Sequence, residues 1–197
     1  MTVINLFINK KVTSENLQET LLGEIAELLS DGSETALKYK ERIAEGSVTR
    51  DENPATHLCV YFVAIDSRAK KVFIGHHKKA GLWLFNGGHL DAGETFRAAV
   101  EREIGEEWGL DVDTLVIPKP ELLTITPIEN PNQLCKFHYD VWHFIDVDVN
   151  SFNPDPEKLA EETYETRWLT LEEARRIATD KNTLTGLAFI ERNYFIG

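Results

Sequence analysis

The chain has 197 residues, 42% of them hydrophobic and 27% charged, enough to bury one sizeable core with a small added element. Its formal net charge of −12 argues against broad binding to nucleic acid or to an acidic membrane, because both surfaces are themselves anionic. There is no run of about 18 apolar residues, and the start MTVINLFINKKVTSEN lacks the apolar region and cleavage site of a secretory signal, so a cytoplasmic protein is expected.

In chain order, Leu17, Leu21, Leu22, Ile25, Leu28 and Leu29 recur at helical spacing after Thr13-Ser14, and Asp31-Gly32 is expected to close that helix. A second helix is predicted over about Glu34 to Ala44, stopping at Gly46. Both belong to a predicted N-terminal extension, residues 1–52, ahead of a domain at 53–197. Packing on that domain is the default for such amphipathic helices; a dimer contact or a part in shaping substrate access are the alternatives. From His57 the pattern turns to strands: His57–Ile65, a polar turn Asp66–Lys71, Val72–His77 and Leu82–Phe85. A glycine-bearing loop, Asn86-Gly87-Gly88 with Ala92-Gly93, leads into a helix. Thr95 is its N-cap, Phe96, Ala99, Val100 and Ile104 its apolar side, and Gly109 its left-handed stop.

Further strands are predicted at Leu115–Val116, Leu122–Ile128 and Phe137–Val147, interrupted by Pro118, Pro120 and an Asn130-Pro131-Asn132 loop. Glu165–Leu169 is a short strand, Thr170-Leu171-Glu172-Glu173 is a capping box, and Leu184–Phe195 is a terminal helix. Mixed strands with helices on both sides predict an α/β/α sandwich.

The chemistry concentrates in GHLDAGETFRAAVEREIGEEWGL, from Gly88 to Leu110. Glu103, Glu106 and Glu107 stand at i, i+3 and i+4, so at about 3.6 residues per turn their carboxylates share one helix face within about 100°. Like charges at that spacing repel, and the arrangement asks for a cation. Hard oxygen ligands suit Mg²⁺ or Mn²⁺, and Mg²⁺ commonly shares its coordination between a few carboxylates, water and substrate phosphates.

These residues resemble the Nudix box: Gly88, Glu94, Arg102, Glu103, Ile104, Glu106, Glu107, Gly109 and Leu110 meet every position of its pattern. The resemblance implies a Nudix-like α/β/α sandwich with a mixed sheet, and an Mg²⁺-dependent hydrolase of a phosphoanhydride in a nucleoside diphosphate linked to another group. A nucleotide sugar, a nucleoside triphosphate and a dinucleoside polyphosphate are all candidate substrates. By the same resemblance Glu103, Glu106, Glu107 and the Gly88 carbonyl are metal ligands. Glu94 assists metal or water, and Arg102 orients neighbouring carboxylates. The resemblance assigns no unique general base, since members use either a box glutamate or one from a later loop. Many members are dimers, and the N-terminal helices offer a surface for a homodimer. The alternative class is a nucleotide-sensing module that keeps the fold without turnover, which the complete carboxylate set disfavours.

Outside the box, His77 and Lys79 of the His76-His77-Lys78-Lys79 run and His89 are candidate substrate contacts. Glu161, Glu162 and Glu165, in a loop-to-strand segment, are candidate extra carboxylates, set against the plainer reading of a solvated acidic loop. Phe85, Tyr139 and Trp142 are either base-stacking rings or core. His138 and His143 fall on opposite faces of a regular strand and do not form a paired metal site. Cys59 and Cys135 lack CxxC spacing, which argues against a disulfide framework or a zinc site and for two buried thiols. Pro127 is misplaced for the proline of ADP-ribose-cleaving relatives, Ile125 holding that position. The upstream motif of coenzyme A-cleaving relatives is missing, and neither cysteine supports isomerase chemistry.

Overall fold

Strand β1 (Thr56–Asp66) is the spine of the fold in a computed structural model that describes residues 14–129 and 134–196. Thr13 and the Asn130-Pro131-Asn132 loop lie outside the described residues. The β-branched and aromatic run of β1 is buried on both sides, as a central strand requires. It pairs in parallel with β6 (Phe137–Asp146) and antiparallel with β2 (Lys71–His77) and β4 (Asn86–His89). The path β3-β2-β1-β6-β5 is completed by β3 (Leu82–Leu84) and β5 (Leu122–Pro127), and β7 (Thr163–Thr170) pairs with β2. The sheet is therefore mixed.

Its two faces carry separate apolar clusters. Leu58, Val60 and Phe62 of β1 meet α1 (Ser14–Glu24), α2 (Glu34–Ala44) and α3 (Phe96–Glu103), with Leu21, Tyr39, Ile43 and Val100 fully buried. Val63 and Ile65, one residue out of phase, meet α5 (Leu171–Ile177) and α6 (Lys181–Asn193) through Ala174, Leu187 and Ile190. The predicted sandwich is the observed one, and the N-terminal helices pack on one of its faces.

Local signals account for most boundaries. Thr95 accepts from the Ala98 N–H, Gly109 takes φ 62°, and Thr170 with Glu173 closes the expected capping box. Other expectations need correction. The first helix ends at Glu24 and continues as turns to Asp31, although Ile25 and Leu29 remain buried. Asn86–His89 is strand β4 and not loop, because β1 supplies a ladder for it. Leu115–Val116 forms no strand: Val116 is 87% exposed, and Pro118 and Pro120 just beyond lack the N–H a ladder needs. The last helix starts at Lys181, three residues early, where Asp180 caps it. Glu161 and Glu162 sit on α4 (Pro156–Glu162), whose start was signalled by Asp155 as N-cap and Pro156 at the first helical position. Cys59 is buried as expected, whereas Cys135, beside the exposed Leu134 and Lys136, is only half-buried.

Candidate active site

Helix α3 runs on into a π-helical turn at Ile104–Trp108, and this wider turn redistributes the three carboxylates. Glu103 and Glu107 turn inward, while the Glu106 side chain stays 60% exposed. Gly88 on β4 lies directly under Glu103. A Cβ at residue 88 would collide with the Glu103 carboxylate, so the glycine is what lets helix and strand approach.

Arg102 organises the acidic side of the site. Its Nε and Nη2 donate to the two Glu94 oxygens at 2.8 and 3.0 Å, a bidentate pair. Its Nη1 donates to Glu103 at 2.9 Å and Glu106 at 3.0 Å, and Nη2 also donates to the His89 carbonyl at 2.9 Å. One guanidinium thus ties the loop before α3, the helix and the end of β4 together. Burial works against charge on Glu94, but the Arg102 bonds and the Asp91 N–H hold its carboxyl below the ordinary value. Burial raises Glu103 despite Arg102.

Glu107 stands apart from that network. Burial pushes its carboxyl up to about 8, opposed by the Asn86 amide, which donates to Oε2 at 2.5 Å, and reinforced by the charge of Glu103. A half-buried acid with one neutral donor lacks the positive charge that would settle it. Glu103, Glu106 and Glu107 offer hard oxygen donors next to a glycine backbone, a chemistry that fits a divalent cation such as Mg²⁺, although Glu106 is turned outward onto Arg102 and not gathered with the other two. Those three residues and Gly88 are the ones that would hold it.

The site opens on a cleft of about 140 Å³ whose wall includes Gly88, Glu107, Phe85, His77 and Asp140. Of the sequence-selected substrate residues, His77 and His89 line this cleft. Lys79 and Glu162 pair with each other at 3.0 Å, with His77 Nε2 3.6 Å from the same carboxylate. Glu165 is an exposed residue of β7 paired with Arg167 and does not line the cleft. Phe85 lines it, whereas Trp142 is core, stacked on Tyr61 at 4.1 Å, and Tyr139 packs edge-on against Tyr39 on the other face. His143 is buried 3.0 Å from the Pro118 carbonyl, apart from His138 as expected.

Sequence reading missed Asp140. It is fully buried in β6, burial pushes it up to about 7, and its Oδ2 accepts from Thr126 at 2.5 Å and Asn182 at 3.0 Å. The available signal was an acid inside the apolar run FHYDVWHF. Also missed was the meeting of His57 and Cys59 with His89 and His138, four residues from three strands. Burial depresses His89 to about 3 and His138 to about 4.

The NUDIX domain family model matches residues 55–187. The chain belongs to the Nudix family. It is an enzyme of the class that hydrolyses acid anhydrides. No curated protein sequence matches it significantly. Among solved structures, this Nudix chain is similar to the dihydroneopterin triphosphate pyrophosphohydrolase of E. coli, with 16% identity, TM-score 0.57, and 70% of this chain and 94% of that one covered. A Nudix hydrolase structure from Listeria monocytogenes matches with 20% identity and TM-score 0.54 over 70% and 96% of the two chains. An Ap4A hydrolase of C. elegans, solved as a binary complex, matches with 19% identity and TM-score 0.51 over 68% and 96%. At these identities the likeness is one of fold.

Proposed function

We propose that this Nudix chain hydrolyses a phosphoanhydride bond in a nucleoside diphosphate linked to another group, with Mg²⁺ as its ion and Mn²⁺ able to substitute. The observation that carries the reading is the complete box folded so that Glu103 is buried and Glu107 half-buried beside a cleft without enough positive charge to neutralise them. The E. coli and C. elegans proteins named above support a polyphosphate substrate, since their names place theirs in that chemical class.

Glu103, Glu106 and Glu107 are the ligand carboxylates in this reading, and Gly88 keeps the strand backbone within reach of them. A divalent ion held there would neutralise phosphate charge, polarise the phosphoryl oxygen and acidify water. Arg102 fixes Glu94, Glu103 and Glu106 in place before substrate arrives, which is the positioning on which such catalysis depends. His77 offers an imidazole to the substrate from the cleft wall, and Phe85 an apolar surface. Lys79 and Glu162 neutralise each other at the rim, so they tune charge around the cleft more than they grip phosphate.

The test is product release from a panel of nucleoside diphosphate derivatives, dinucleoside polyphosphates and nucleoside triphosphates, run with Mg²⁺, with chelator, and with Glu106→Gln. Turnover of one compound that disappears in both controls is expected. Full activity of Glu106→Gln would remove that residue from the site. Binding without turnover across the panel would favour a sensing module.

A further inference from the structure

We propose that His57, Cys59, His89 and His138 form a second metal site, suited to Zn²⁺ or a similar thiolate-seeking transition ion and separate from the box carboxylates. Their ligand atoms all lie within 4.8 Å of one another.

The sheet register builds the cluster. His57 and Cys59 are two apart on β1 and so point to one face. His138 on β6 lies directly across from His57, and His89 on β4 lies directly across from Cys59. The three rings surround a common point, with centroids 4.8 Å apart for His57–His89 and His57–His138 and 5.4 Å for His89–His138. This is the face of β1 away from α3: the alternate residues Leu58 and Val60 pack in the cluster that includes α3. Glu103, which presses on Gly88, and the imidazoles thus approach β4 from opposite sides, while Glu107 shares a cleft with Cys59, His89 and His138.

Two further observations point to a ligand. His57 Nδ1 is 3.3 Å from the Asn53 carbonyl, which places the ring proton there and leaves Nε2 as the acceptor nitrogen, 4.0 Å from the Cys135 thiol; ligating histidines are commonly oriented by such a carbonyl. Asp140, the residue across β6 from Cys59, is wholly buried, and its Oδ1 has no hydrogen-bond partner among the described residues. Three imidazoles and one thiolate match the donors and the four-fold coordination of zinc. Ligand atoms in a tetrahedral zinc site stand about 3.3–3.8 Å apart, so closure on an ion asks for side-chain shifts of about 1 Å. Binding converts the Cys59 thiol to thiolate and releases its proton to solvent. An ion reaches the cluster through a solvent-open cavity of about 560 Å³, lined by His57, His89, His138, Arg50 and the half-buried Cys135. Because Cys59, His89 and His138 also line the substrate cleft, the bound ion would sit at the wall of that cleft.

The test is titration of the metal-free, full-length chain with Co²⁺ in the presence of excess Mg²⁺. Expected are one equivalent bound, with intense tetrahedral d–d bands and a thiolate-to-cobalt charge-transfer band, both displaced by Zn²⁺. Cys59→Ser should abolish the charge-transfer band, and His57→Gln should weaken Co²⁺ binding by more than about tenfold. Cys135→Ser and Glu106→Gln should leave both signals in place; survival in Glu106→Gln separates this site from the hydrolase site. No charge-transfer band in the parent chain, or one that persists in Cys59→Ser, overturns the proposal. If Cys59→Ser does not fold, His57→Gln decides: unchanged Co²⁺ affinity overturns it.

Discussion

The two walls of strand β4 make opposite use of the same backbone. On one side, Gly88 gives up its side chain so that Glu103 can press against the strand, and the acids there come from a single continuous segment. On the other, His89 keeps its side chain and meets His57, Cys59 and His138, which come from two other strands. The acidic wall is held by one arginine through charge-assisted bonds. The imidazole wall is set by strand register, with the Asn53 carbonyl 3.3 Å from His57 Nδ1. Chemistry assembled within one helix is robust to changes in the sheet, whereas chemistry assembled across strands depends on every pairing being in place.

The largest effect should come from the acidic wall. Glu103→Gln is expected to lower kcat by about 10²–10³-fold, the loss usual for one preorganised electrostatic group. Steady-state rates under saturating Mg²⁺ check this, and a loss of less than tenfold would detach Glu103 from the chemistry. Arg102→Lys should follow: an ammonium cannot reproduce the bidentate hold on Glu94 together with the bonds to Glu103 and Glu106. A stability loss of about 1–3 kcal/mol is expected by urea unfolding, with a fall in kcat that added Mg²⁺ does not restore.

A third measurement sharpens the contrast through pH. The folded chain holds a proton on Glu107 up to about 8, far above the ordinary carboxyl value of 4.5, and Glu103 is shifted the same way. Between those pH values the folded state binds more protons than the unfolded one. The stability these groups contribute is complete below the ordinary value and is lost as pH rises through about 8. Mg²⁺ should therefore raise the melting temperature more at pH 9 than at pH 6, by several degrees. Equal shifts at the two pH values would mean that the ion binds elsewhere. The smallest effect is expected from Tyr39→Phe, which removes the hydroxyl that donates to the carbonyls of Thr124 and Asp140 at 3.0 and 2.8 Å. A loss of about 1 kcal/mol by urea unfolding is expected, with the Mg²⁺ requirement unchanged.

What the sequence made legible follows the same division. The cap at Thr95, the left-handed Gly109, the capping box at Thr170 and the box itself are each written in one short continuous stretch of sequence, and the structure forms them where expected. The inward and outward turns of Glu107 and Glu106 were not legible, because ideal helical spacing does not anticipate a π-helical turn. The cluster around Cys59 was hidden for a different reason. Its members are up to 81 positions apart, from His57 to His138, and the pairings of β1 with both β6 and β4 bring them together. The strand expected at Leu115–Val116 failed because short apolar pairs carry no register of their own, and two prolines follow.

Tyr39 has one more consequence. Its ring is fully buried against the sheet and its hydroxyl grips β5 and β6 near the cleft, yet it lies before residue 55, where the family match begins. A chain trimmed to the matched residues would bare the apolar face that Leu21, Ile25, Tyr39 and Ile43 now cover, and would be expected to aggregate. The stretch that evolution shares with other Nudix proteins and the stretch that must be synthesised for this one to fold are two different lengths of polypeptide.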